Sequence, residues 1–165
     1  MKRWKGTLLY HTIAFFATAV LLPLSFWLYD RAQRGASEPG DSYYGIVQLI
    51  PPILTAVPVT LGMWLLRRLA QRLAWTQWWH WMLAGTAIGL AMIWGAGQLG
   101  LTVEGAYFPP RQQSLKAALM FLLLGPMTFT FQPWWLPLPA LAAASGVLFL
   151  VQRALVRRIK KETRR

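Results

Sequence analysis

Four stretches of this chain run without a charged side chain for at least the thickness of a bilayer. Thr7 to Tyr29, Tyr43 to Leu66 and Met82 to Val103 are three of them, and the fourth covers 36 residues from Ala117 to Gln152. A helix needs roughly 20 apolar residues to cross about 30 Å of hydrocarbon, so all four are candidate spans. Lipid offers backbone amides no partners, which leaves the helix as the way such runs fold. Composition agrees: 56% of the 165 residues are hydrophobic and 13% charged, too apolar for a fold with a polar surface. The expected class is an all-α integral membrane protein of one domain.

The first run follows Met-Lys-Arg-Trp-Lys, and Ala17-Thr18-Ala19 resembles a signal-peptide cleavage site. That tripeptide lies inside an apolar run longer than a signal core, so an uncleaved anchor is expected. The sequence has no cysteine, which removes disulfides, thiolate metal sites, cysteine nucleophiles and palmitoylation from consideration.

The net charge of +12 is distributed unevenly along the chain. Thirteen basic residues lie in the N-terminus (Lys2, Arg3, Lys5), the second connection (Arg67, Arg68, Arg72) and the C-terminus (Arg153, Arg157, Arg158, Lys160, Lys161, Arg164, Arg165), opposed only by Glu162. In the first and third connections Arg31, Arg34, Arg111 and Lys116 are balanced by Asp30, Glu38, Asp41 and Glu104. The positive-inside rule then places both termini and the second connection in the cytoplasm and the other two connections outside. The basic tail is expected to rest on anionic lipid headgroups; it lacks aromatic interleaving or any nucleic-acid module, so no nucleic-acid partner is expected.

The resulting layout has transmembrane helices at 7–29, 43–66, 82–103 and 136–154, outer loops at 30–42 and 104–116, and a cytoplasmic interfacial helix at 67–81. A re-entrant or interfacial segment fills 117–135, and a basic cytoplasmic tail 155–165. An odd number of crossings would put the seven bases of the C-terminus, Arg153 onward, outside, so only part of the 36-residue run is expected to cross. Gly125-Pro126 reads as a break. Beyond it Met127, Phe129 and Phe131 alternate with Thr128, Thr130 and Gln132, the period of an extended strand. The expected result is a hairpin, a half-helix with an extended return, ahead of the last span. Its polar residues Thr128, Thr130 and Gln132, with Gln48 and Gln98, are the candidate lining of a cavity or partner contact.

Within the second span Pro51 and Pro52 suit a first turn, whereas Pro58 should kink the helix. Gly85, Gly89, Ala96 and Gly100 on the third span, and Ala142 and Gly146 on the fourth, are small-residue faces for close helix packing. Tryptophans gather at the expected interfaces: Trp4, Trp64, Trp75, Trp78, Trp79 and Trp81 inside, Trp27, Trp134 and Trp135 outside, with Trp94 at mid-depth.

Apart from Arg153 at the inner end of the last, no span holds an Asp, Glu, Lys or Arg, so the usual proton-relay residue is missing, and phosphate-loop and nucleophile motifs are absent. No metal site or catalytic residue is expected. His11 and His80 are the only histidines; paired haem ligation by them is the sole cofactor candidate, and the main expectation is no cofactor. The sequence therefore points to a non-enzymatic subunit or accessory factor of a larger assembly in a bacterial inner membrane, partnered by other membrane subunits or by itself. The alternatives are a small channel, carrier or lipid-handling protein with a site at the outer hairpin, a membrane-embedded inhibitor of the immunity or exclusion type, or a haem or quinone redox subunit.

Overall fold

The computed structural model describes residues 3–34 and 50–162. These form five α-helices: α1 (Arg3–Arg34), α2 (Ala56–Arg72), α3 (Trp78–Gly105), α4 (Gln113–Thr130) and α5 (Leu138–Glu162), with a 3₁₀ turn at Pro110–Gln112. No strand occurs among the described residues. Among the described residues four segments are long and apolar enough to cross a membrane: Gly6–Tyr29, Ile50–Arg72, Trp78–Gly105 and Leu138–Arg158.

The second of these begins with a helical turn at 50–54 that is interrupted at Thr55 before α2 proper. Pro58 lies three residues later and cannot donate to the carbonyl of Leu54, so the ladder is weakest at this point. The Thr55 amide and hydroxyl both donate to the Pro51 carbonyl, at 3.1 and 3.0 Å, and hold the two pieces in line. Residues 43–49, expected in this span, lie outside the described residues.

The connection between the second and third spans differs from the expected interfacial helix over 67–81. Arg67, Arg68 and Arg72 complete α2, residues 73–77 turn, and Trp78 starts α3. The turn closes as a Schellman motif: the Trp75 amide donates to the Ala70 carbonyl at 3.0 Å, and Ala74 takes the left-handed conformation at φ 50°. The two parts of the expected helix each belong to the end of a longer one. The tail likewise continues helically, carrying α5 to Glu162.

The larger correction concerns 117–135. The expected strand at 127–132 is absent: α4 runs through Gly125-Pro126 to Thr130. Pro126 removes one hydrogen bond, and the Thr128 hydroxyl reinforces the next turn by donating to the Leu124 carbonyl at 2.8 Å. The apolar and polar residues alternate over too few positions to separate a period of two from one of 3.6. Here the environment decides, since Gly125, Pro126, Met127 and Phe129 are all buried.

They are buried by three other elements. Phe129 meets Phe26 of α1 edge to face, ring centroids 6.2 Å apart. Gly125 rests on the Pro51 carbonyl and Thr55. Pro126, Met127 and Thr130 lie against Gly97 and Gly100 of α3.

One ridge organises this packing. Trp81, Gly85, Gly89, Ile93, Gly97 and Gly100 are the buried residues of α3, spaced by four and finally by three, so they form a single stripe. Its first half seats α5, with Phe149 by Trp81, Ser145 by Gly85 and Leu141 by Gly89. Its second half seats α4, with Pro126 and Thr130 by Gly97 and Met127 by Gly100. Numbers fall on both partners as they rise on α3, so α4 and α5 are each antiparallel to it. They occupy successive segments of the same stripe and do not pack along one another. The intervening turn moves the chain sideways: Phe129 meets Phe26 and Trp135 meets Tyr29, one helical turn apart on α1. In place of a hairpin with a return limb, α4 enters the bundle to the level of Gly97 and α5 carries on toward the other end.

Candidate functional site

The polar positions singled out by alternation do not converge on a cavity. Thr128 and Thr130 are half-buried, and their hydroxyls donate within their own helix, to the carbonyls of Leu124 (2.8 Å) and Met127 (2.6 Å). Gln132 is half-buried in the turn after α4. Gln98 is exposed and points away from the α3 stripe, while Gln48 lies outside the described residues. Other hydroxyls behave in the same way: Thr18, Ser25, Thr60, Thr102 and Ser145 each donate to a carbonyl three or four residues back. Satisfied locally, a hydroxyl can sit on a packed apolar face without a partner from another helix.

Of the small residues, Gly85, Gly89 and Gly100 are close-approach positions. A methyl group at any of them would collide with Ser145, Leu141 or Met127 respectively. Ala96 and Ala142 are only half-buried beside the stripe, and Gly146 faces open space. The residue that meets Gly85 is Ser145, one position earlier. Spacing alone missed Gly62, Gly97 and Gly125, each of which also admits no methyl group without a shift of its neighbours.

The two histidines have separate surroundings. His11 is half-buried on α1, edge to face with Tyr10. His80 stacks at a tilt on Trp79, centroids 3.7 Å apart, with Trp75 5.7 Å away, and its Nδ1 is buried without a partner among the described residues. Among the described residues no group of three or more His, Asp or Glu is gathered as a metal ion would require.

Polar side chains are instead concentrated at the end of the bundle where α2 and α5 finish and α3 begins, here termed the basic end. Tyr10, fully buried, donates its hydroxyl to the Met63 carbonyl at 3.3 Å. Above its ring, 4.8 Å from the centroid, lies the guanidinium of Arg67, whose Nε donates to Oε1 of Gln152 at 3.2 Å. These contacts clasp α1, α2 and α5 together. Arg67 was legible in the sequence only as a topology signal; its pairing with Tyr10 and Gln152 spans 57 and 85 residues of chain and has no local signature.

Beside this clasp is a cavity of about 530 Å³. Its walls are the end of α2 and the following turn (Ala70, Gln71, Ala74, Trp75, Thr76), Trp81 of α3, and one face of α5. The α5 residues Phe149, Gln152, Arg153, Val156 and Arg157 recur at helical spacing, and along them the wall changes from aromatic to cationic. Trp81 is 2% exposed, and its indole Nε1 has no acceptor among the described residues. Compared with protein-family models, curated proteins and solved structures, the chain matches none.

Proposed function

We propose that this protein is a non-enzymatic subunit or accessory factor of a larger assembly in a bacterial inner membrane, with both termini in the cytoplasm. The observation that carries the reading is the contrast between the two ends of α4. Its C-terminal third is locked among α1, the helical turn that precedes α2, and α3, whereas Leu115, Phe121, Leu122 and Leu124 are 40 to 57% exposed on the part before it. A rigidly held helix presenting an unpartnered apolar face is suited to contact another membrane helix. The glycine stripe of α3, by contrast, is consumed inside the chain and supports folding rather than assembly.

In this reading α4 occupies the outer half of the membrane, the basic end lies at the cytoplasmic surface, and the interior holds the helices together without reaction chemistry. Orientation rests on the segregation of the +12 charge to the segments at the basic end and the termini. The test is photo-crosslinking in cells from a reactive side chain placed at Phe121 or Leu122, followed by capture in mild detergent and peptide identification. A discrete adduct with one protein, weaker from a site at Trp94 on the outward face of α3, is expected. Crosslinks to lipid alone from every position would sink the proposal.

A further inference from the structure

We infer that the cavity at the basic end is a binding site for one anionic glycerophospholipid, its phosphate held by Arg153 and Arg157 and its glycerol ester region lying against Trp81 and Phe149. The inference does not depend on a protein partner being found.

Three observations combine. The first is sign: none of the residues lining the cavity is acidic, and Arg153 and Arg157, four apart on α5, both line it. Arginine forks match phosphate oxygens, and two of them on one face favour a headgroup with net negative charge over a zwitterion.

The second is the polarity gradient. Phe149 and Trp81 meet edge to face, centroids 6.1 Å apart, one to two helical turns before Arg153 and Arg157. A ligand that follows the cavity must be apolar where it meets these rings and anionic at the arginines, the order found in a phospholipid read from acyl chain to phosphate. Ala70 and Ala74 supply the opposite wall with small side chains, which leaves the width for it.

The third is the orphaned indole donor. The Trp81 Nε1 is buried without an acceptor among the described residues, although buried polar groups are almost always paired. An ester carbonyl at the glycerol level is an acceptor of the right kind, and because the Nε1 atom itself has no open surface the indole must turn toward the cavity to reach it. The volume, about 530 Å³, is in the range of small-molecule sites and accommodates a headgroup with the start of its chains.

The experiment is native mass spectrometry of the full chain released from mild detergent, titrated separately with phosphatidylglycerol, phosphatidylcholine and inorganic phosphate. We expect one phosphatidylglycerol retained per chain, at least tenfold more tightly than phosphatidylcholine, and no displacement by millimolar phosphate. Displacement by phosphate at that level would mean a free-anion site and overturn the lipid assignment. R153Q/R157Q, at two exposed positions that leave the core untouched, should bring phosphatidylglycerol down to the affinity of phosphatidylcholine. W81F retains the ring packing and should weaken both lipids several-fold, since both carry the ester carbonyl. R72Q/R158Q removes two bases that do not line the cavity and should change nothing. Equal losses in the two arginine pairs would show general charge attraction and overturn the site, as would undiminished binding in R153Q/R157Q.

Discussion

Gly85 and Gly146 lie on facing helices with similar small-residue spacing, yet a methyl group would have opposite consequences at the two. At Gly85 it would be driven into the Oγ and Cβ of Ser145, with Leu66 at 3.0 Å, so α3 and α5 would have to separate. Gly85→Ala is expected to cost about 1–3 kcal/mol, the usual penalty for overpacking. Gly146 has nothing within 4 Å, and there an alanine should gain roughly 0.5–1 kcal/mol through helix propensity. Thermal denaturation in detergent checks the pair; a loss of stability in both variants would mean that α5 is rotated relative to the α3 stripe. Ala74 supplies a test of backbone rather than packing. At φ 50° it occupies the position where a Schellman motif favours glycine, and the left-handed region costs an alanine about 1–2 kcal/mol. Ala74→Gly should therefore raise the melting temperature, and a fall would show that the methyl group matters to the adjoining cavity wall. The sequence makes the i, i+4 glycines visible but is silent on which neighbour each one meets. That is why Ser145 escaped notice while Gly146 was singled out.

At the scale of elements, the four spans were legible because length and absence of charge are sufficient to define them. The boundaries that moved did so for one reason. Amphipathic ends, such as Arg67 to Arg72 and Arg153 to Glu162, extend the spans as helix where hydropathy alone stops them. α4 was misread because Gly125-Pro126 normally marks a break, and an enclosed helix end has no polar face from which a period can be read. The break is overridden by tertiary packing: Gly125 brings the α4 backbone onto the Pro51 carbonyl, and Pro126 presents its own carbonyl to Gly97. Spin labels placed singly from 115 to 130 would resolve the geometry. In bilayers, Leu115, Phe121 and Leu122 should show high accessibility to oxygen, while Met127 and Phe129 should be shielded from oxygen and from aqueous nickel complexes alike. A strict alternation between 127 and 132 would restore the strand. Gly125→Ala is expected to disturb this element most severely, since its new methyl group would meet backbone, which cannot rotate away. Loss of shielding at Phe129 in that variant, with α1 to α3 still folded, would identify α4 as the displaced part.

For the molecule as a whole, charge and depth can be tested together, because a chain without native cysteine permits clean single-cysteine labelling. Gln71 is exposed at the end of α2, among Arg67, Arg68 and Arg72; Gln112 is exposed in the 3₁₀ turn at the opposite end of the bundle. If the basic segments are retained in the cytoplasm, a membrane-impermeant thiol reagent applied to intact cells should label a cysteine at 112, and one at 71 only after permeabilisation. The reverse order would mean that the chain inserts against its charge asymmetry. Gln132 tests how far α4 enters. It follows the last turn of a helix whose Thr130 meets Gly97, eight residues inside the end of α3, or about 12 Å at 1.5 Å per residue. A cysteine at 132 should therefore react slowly from either side. Labelling as fast as that at 112 would place the whole 113–137 segment flat on the outer surface. The stripe of α3 beyond Ile93 would then have to be covered by something other than α4, and the two-part seating of α4 and α5 on one helix would fail with it.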